Sequence, residues 1–350
     1  MGRLRKLTAS ILGAALAAGL AAQPASAEKM VLSSSGGQVA QLMKAVFTEP
    51  FTEATGIAVE YLATTDRASA LKAMMAAGNT IWDVTELNAI EYATASLSGW
   101  LEPLDWAKID PENRLPDSAK LEDAGIAATY SNILAVRTDK GTPPASWAEF
   151  WDVENFPGPR ALQNQPFDNL EFALLADGVA KDALYDVLST PEGIDRAFAK
   201  LDEIKPHIVT WWTTGAQPIQ MLADGEVWYS SAFNGRLAKM AAEGQPVKIV
   251  WDGGALKPTY VAIPKGAPNR AAAEKFLSFM LTSPERAAAF ASYAPYPFLT
   301  KGMYDLLDAE KGRSLPTHPD NLAVQFVSND RWWGANYQEL NERWQDWVLE

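Results

Sequence analysis

The chain of 350 residues carries 43 acidic against 30 basic residues, a net charge of −13, and holds thirteen tryptophans but no cysteine. An acidic balance of this size is a poor match for nucleic acid or anionic lipid, whose charge has the same sign. Lacking cysteine, the chain has no disulfide, no thiolate nucleophile and no cysteine metal site.

Arg3, Arg5 and Lys6 precede an apolar run over residues 7–22, and Ala25-Ser26-Ala27 follows. This is the layout of a secretory signal peptide over residues 1–27, cut before Glu28, and it predicts a periplasmic address. The run is shorter than the roughly 20 apolar residues of a spanning helix and is broken by Gln23-Pro24. Removing it takes away Arg3, Arg5 and Lys6 and no acidic residue, which moves the net charge from −13 to −16. The remaining residues exceed what one core usually organises, so two lobes are expected.

Residues 30–33 read as a first strand ending in Ser34-Ser35-Gly36-Gly37. The loop feeds a helix with Leu42, Met43, Val46 and Phe47 on one side, interrupted at Pro50 and closed by Gly56. Free amides at Ser35 and Gly36 suit a carboxylate. No Lys-Ser/Thr follows them, which excludes a nucleotide P-loop. Residues 57–62 and 82–87 read as further strands, with helices capped by Asp66 and spanning residues 89–98 between and after them. Strands alternating with helices imply βαβ units and a mostly parallel sheet, an α/β fold. Residues 127–137 form a long strand able to carry the backbone from one lobe to the other. Ser146 caps a short helix over residues 147–151, residues 164–169 form a loop, and helices follow from Leu170 and over residues 191–204.

The stretch from Trp211 to Arg236 gathers the most suggestive chemistry. Trp211 and Trp212 end an extended run, Thr214 and Gln217 lead into a helix, and residues 227–231 form a strand that delivers Phe233 to the next helix. Rings, hydroxyls and amides thus collect at the carboxyl ends of strands, where open α/β sheets bind small molecules. The plainer reading of these rings is core packing, the usual fate of tryptophan. Residues 248–251 form a strand, Gly253-Gly254 a turn, and residues 259–263 a second long strand returning to the first lobe. The last hundred residues are mainly helical, clearest over 271–281, 284–293, 303–307 and 334–347.

Several pieces then stand in a familiar order: Phe51-Thr52-Glu53-Ala54-Thr55-Gly56-Ile57, Trp82-Asp83-Val84, Pro144-Ala145-Ser146-Trp147, Asp224-Gly225-Glu226-Val227 and Ala262-Ile263-Pro264-Lys265-Gly266-Ala267. In these the chain resembles the extracellular solute-binding proteins of ABC importers, nearest to the spermidine/putrescine-binding branch. The resemblance implies a periplasmic-binding-protein-like fold of type II, with two α/β lobes, a hinge of crossing strands and ligand held in the cleft. It divides the chain into a first lobe of residues 28–131 and 258–307, a second of 132–257, and a helical segment over 308–350 that packs on both. It also implies a monomer that hands its solute to a permease in the inner membrane, without catalysis or cofactor.

Ligand residues carry over less completely. Asp168 falls where that family places an acidic residue, which makes it the expected ammonium partner; a helix N-cap is the plainer role. Phe233 replaces a cleft tryptophan, Lys257 and Thr259 replace a Trp and an Asp, and Asn88 stands where a hydroxyl residue is expected. Tyr296 lies in the family's first-lobe cleft segment. A lost carboxylate and a gained cation argue against a long diamine. A γ-aminobutyrate-like solute would satisfy an ammonium site near Asp168, Trp211, Trp212 and Phe233 and a carboxylate site near Ser35, Gly36 or Lys257. Putrescine would satisfy only one.

Two rivals come from other classes: an exported carboxylate-dependent hydrolase, and a solute receptor feeding a sensor. No Gly-x-Ser-x-Gly or His-Glu-x-x-His motif occurs, and His207 and His318 read as ordinary loop histidines. Metal ligation is disfavoured by the scarcity of His and Cys.

Overall fold

The computed structural model describes residues 28–350; the signal-peptide reading of residues 1–27 lies outside them. Its strands are β1 (Lys29–Ser34), β2 (Ala58–Ala63), β3 (Val84–Leu87), β4 (Gly125–Arg137), β5 (Arg160–Gln163), β6 (Ile208–Trp212), β7 (Tyr229–Phe233), β8 (Val247–Ala262) and β9 (Phe326–Val327). They join into one sheet in the order β2-β1-β3-β8-β4-β7-β5-β6, with β9 beside β8. At one end β1 runs parallel to β2 and β3, and at the other β5 runs parallel to β6 and β7. Helices cover both faces of the inner strands β1, β3, β5 and β7, whose side chains are largely buried, while the edge strands β2 and β6 remain more exposed.

The two ends have separate apolar cores. Met30, Leu32, Phe47, Phe51, Phe276 and Phe298 anchor the first; Trp147, Phe150, Phe172, Leu201, Trp333 and Trp344 anchor the second. Among the described strands only β4 and β8 reach both, and they are by far the longest at 13 and 16 residues. β8 pairs with β3 through Thr85↔Ala262, while β4 pairs with β7 through Asn132↔Phe233. Between these zones the β4/β8 register slips twice, at Ile126/Thr129 and at Asn132/Leu134. Such irregularities bend and twist a ladder locally, which suits the crossing between lobes.

Two expectations need correcting. Gly253-Gly254 is not a turn between separate strands but lies inside β8. Gly253 sits at φ 66, and a Cβ there would stand 2.7 Å from Trp147 Cδ1, whose ring donates Nε1–H to the Gly253 carbonyl at 2.9 Å. Glycine thus serves a close approach within a continuing strand. Pro50 does not interrupt the first helix either. It follows a π-helical turn, Lys44–Thr48, at the start of Glu49–Thr55, where a proline lacks no needed donor. Gly56 at φ 74 closes that helix as expected.

The C-terminal helix Asp330–Leu349 fills the second core with Trp333, Leu340, Trp344 and Trp347. It also crosses the Ala89–Leu97 helix so closely that a Cβ on Gly334 would stand 2.5 Å from Ala93 Cβ.

Candidate functional site

The carboxyl ends of β1, β2 and β3 meet at one rim of the first lobe. Ser34 Oγ donates to Glu86 Oε2, and the Tyr61 hydroxyl donates to the Ser35 carbonyl at 2.5 Å. Burial, and to a smaller extent the charge of Glu86, pushes the Tyr61 phenol up to about 12, against the opposing effects of the Ser34 hydroxyl and the Arg67 charge. Glu86 is half-buried and forms no ion pair among the described residues. Arg67, by contrast, is neutralised by Glu91 at 2.8 Å. Asn88 is exposed and its Oδ1 accepts from the Glu91 amide at 3.0 Å, one half of a capping box that starts the Ala89–Leu97 helix. Gly36 is exposed and extended ahead of the first helix, with Ser35 half-buried beside it.

A second group of residues gathers at the carboxyl end of β7. Phe233 ends β7 and is half-buried, edge-on to Tyr130 at 5.7 Å and to Trp212 at 5.6 Å. Trp212 itself is fully buried, with Nε1–H donated to Ser231 Oγ at 3.1 Å, so it supports Phe233 from beneath. Trp211 points the other way, packing edge-on against Trp344 and Trp347 of the C-terminal helix at 5.3 and 5.5 Å. Neighbouring residues of a strand face opposite sides, so the two indoles cannot form one wall. Gln217 Oε1 accepts from the amides of Thr213 and Thr214 at 2.7 and 2.9 Å, which ties its side chain to the loop.

Arg236, on the first turn of Asn234–Ala242, is exposed and forms no ion pair among the described residues. Its Nε lies 3.2 Å from where a Gly215 Cβ would stand, beside the Phe233 ring. Tyr296 crosses from the first lobe onto this helix: a Cβ on Gly235 would meet its hydroxyl oxygen at 2.7 Å. Asn234 joins the same contact, donating to the Pro295 carbonyl at 3.2 Å and accepting from the Ser131 amide at 2.8 Å. Burial raises the Tyr296 phenol, against a smaller lowering by the Arg236 charge. Burial also raises Tyr130 well above its ordinary value, followed by the negative charges of Asp168, Asp330 and Glu86.

Beside the rings lies a buried polar cluster. Asp168 precedes the Asn169–Ala176 helix, yet its side chain caps nothing. Oδ2 accepts instead from Lys257 Nζ at 2.6 Å and Asn132 Nδ2 at 2.7 Å. Lys257 Nζ also sits 3.6 Å from the Phe167 ring centroid. The acid thus faces an ammonium, but one supplied by the chain. Glu171 accepts from Trp333 Nε1 at 2.6 Å and the Tyr185 hydroxyl at 2.9 Å; burial, then the Asp168 charge, pushes it up to about 7. Asp330 accepts from the Tyr260 hydroxyl at 2.5 Å and is pushed up to about 6, chiefly by burial. Thr259 lies outside this cluster. Its hydroxyl donates to the Ala128 carbonyl at 2.9 Å and accepts from the Ala128 amide at 3.1 Å, bridging the first register slip of β4 and β8.

Glu86, Arg236 and Tyr130 were not singled out from the sequence. Glu86 and Arg236 flank the carboxyl ends of β3 and β7, the position that marks a ligand crevice in open α/β sheets. Among the described residues no group of His, Cys, Asp and Glu is arranged to hold a metal ion, and His318 Nδ1 caps the helix after it.

A family model described as bacterial extracellular solute-binding protein matches residues 47–318. The chain is 38% identical over 345 residues to a gamma-aminobutyric acid-binding protein of Pseudomonas aeruginosa, covering 97% of this chain and 95% of that one. Among solved structures it is similar to an ABC transporter substrate-binding protein of Bradyrhizobium japonicum, with TM-score 0.83 and 35% identity over 91% of this chain and 99% of the other. It is similar too to the Atu4243-GABA receptor, with TM-score 0.82 and 33% identity over 92% of this chain and 98% of the other.

Proposed function

Because the chain belongs to the bacterial extracellular solute-binding protein family and is the substrate-binding component of an ABC transporter rather than an enzyme, we propose that its solute is a small ω-amino acid of the γ-aminobutyrate class. The observation that carries this reading is a pair of opposite charges, one from each lobe, without ion-pair partners among the described residues. Glu86 stands at the rim of the first lobe and Arg236 at the rim of the second. Phe233 and Tyr130 meet edge-on at 5.7 Å, and Tyr296 packs against Gly235 next to Arg236, so rings gather beside the guanidinium. A guanidinium suits a carboxylate, a carboxylate suits an ammonium, and the rings of Phe233, Tyr130 and Tyr296 suit the methylenes between. The solute thus runs opposite to the orientation expected from the sequence, with Ser35 and Gly36 beside Glu86 at its ammonium end and not at its carboxylate. The names of two relatives, a gamma-aminobutyric acid-binding protein and a GABA receptor, support the same class.

In this reading the first lobe comprises residues 28–131 and 258–307, the second 132–257, and residues 308–350 tie them together. A solute touching both lobes stabilises only the closed form, which a permease of the inner membrane then receives from a monomeric carrier. Residues 1–27 direct export and are removed. Calorimetric titration of the mature protein with γ-aminobutyrate, 5-aminovalerate, putrescine and spermidine tests the proposal. Binding of the ω-amino acids at concentrations where the polyamines give no heat is expected; the reverse order would overturn it.

A further inference from the structure

We infer that Lys257 is a built-in occupant of a primary-ammonium site, and that by filling it the chain closes the floor of its cleft to diamines. The site is made of groups that recognise an ammonium: a carboxylate oxygen 2.6 Å from Nζ and an aromatic face 3.6 Å away, with the side chains of Lys257 and Asp168 only 3% and 0% exposed. It adjoins the cleft. Lys257 is the register partner of Tyr130, Asn132 lies two residues further on the same face of β4, and Phe233 is the register partner of Asn132. The ion pair therefore lies beside the ring pair Tyr130 and Phe233 on the same face of the sheet.

The acceptors also exceed what one internal lysine uses. Asp168 Oδ1 and Asn132 Oδ1 are buried without a hydrogen-bond partner among the described residues, although a primary ammonium has three donors to place. Asp168 holds φ 71 and ψ −40, a strained conformation for a non-glycine residue, at the point where its side chain meets Lys257. Truncating Lys257 at Cβ would leave a slot of three methylenes and one ammonium, the shape of n-propylammonium.

The inference goes beyond the proposed solute class and depends on that reading only for its consequence at the cleft. Its test is the melting temperature of the unaltered protein, Lys257→Ala, and the double variant Asp168→Asn with Lys257→Ala, each in n-propylammonium chloride and in potassium chloride of equal strength. Lys257→Ala should melt lower, because an unpaired carboxylate is left buried, and should regain several degrees in propylammonium but not in potassium. The unaltered protein and the double variant should show no such specific gain. Putrescine should raise the melting temperature of Lys257→Ala alone. Equal response to the two salts would overturn the site, and a propylammonium gain without a putrescine gain would overturn the claim on specificity. Should Lys257→Ala fail to fold in buffer, refolding from urea decides: recovery only with propylammonium supports the site, and recovery equal or absent in both salts rejects it. Titrating the unaltered protein with γ-aminobutyrate alongside keeps the two readings apart, since its failure there would leave the rescue result standing.

Discussion

Glu171 and Asp330 hold their protons more tightly in the folded protein than an exposed acid would, at about 7 and about 6. Unfolding returns both to ordinary carboxylate values, so between roughly pH 4.5 and 7 the native state binds more protons than the unfolded one. Their contribution is therefore present at low pH and lost as pH rises through that window. A melting temperature higher at pH 5.5 than at pH 8 is expected, with a flatter profile in Glu171→Gln; a steeper loss of stability in that variant on raising pH would contradict the assignment. Arg236 calls for a different readout. Its side chain is exposed, so Arg236→Ala should leave the melting temperature of the free protein within about a degree while weakening ω-amino acid binding at least tenfold, about 1.4 kcal/mol. An unchanged dissociation constant in calorimetry would remove Arg236 from the carboxylate end. At this scale the sequence was legible in kind more than in partner. An acid at Asp168 was anticipated, but that Lys257 would answer it depends on the pairing of β4 with β8, a tertiary fact. The pair Trp211 and Trp212 was more decidable, since a period of two already sends one indole to each face.

At the scale of elements, Gly253 shows how local punctuation misleads. Two adjacent glycines read as a turn, yet β8 runs through them because Trp147 needs the space a side chain would take. Gly253→Val should cost on the order of 2–4 kcal/mol in urea unfolding, combining a β-branched residue at φ 66 with a clash against the Trp147 ring. A loss below about 0.5 kcal/mol would mean that the indole moves aside freely. The caps were read more surely. Asp66 Oδ1 accepts from the Ser69 amide at 3.0 Å, and the hydroxyl of Ser146 accepts from the Glu149 amide at 3.2 Å, because capping needs only residues three apart in the chain. The helix closed by Gly56 follows the same local logic.

For the whole molecule, alternating strands and helices in a chain this long already pointed to two α/β lobes, and the long strand near residues 127–137 to a crossing between them. What pattern alone could not supply was the strand order, in which β8 and β4 lie side by side at the centre. Nor could it say that the C-terminal helix would enter the second core while touching the first lobe. If the solute is gripped by both lobes, saturating γ-aminobutyrate should lower the radius of gyration in solution scattering and raise stability by about 2.7 kcal/mol at a hundredfold excess over the dissociation constant. Stabilisation with no compaction would place the grip on one lobe. The passage of Gly334 over Ala93 has one more consequence. Joined by β4 and β8 alone, the halves would be free both to flap and to swivel. The crossing of these two helices, set off from the strands and lined by the two smallest residues, joins the contact of Tyr296 with Gly235 in holding them. Should the halves swing as proposed, that crossing favours a glide of one helix along the other over a swivel.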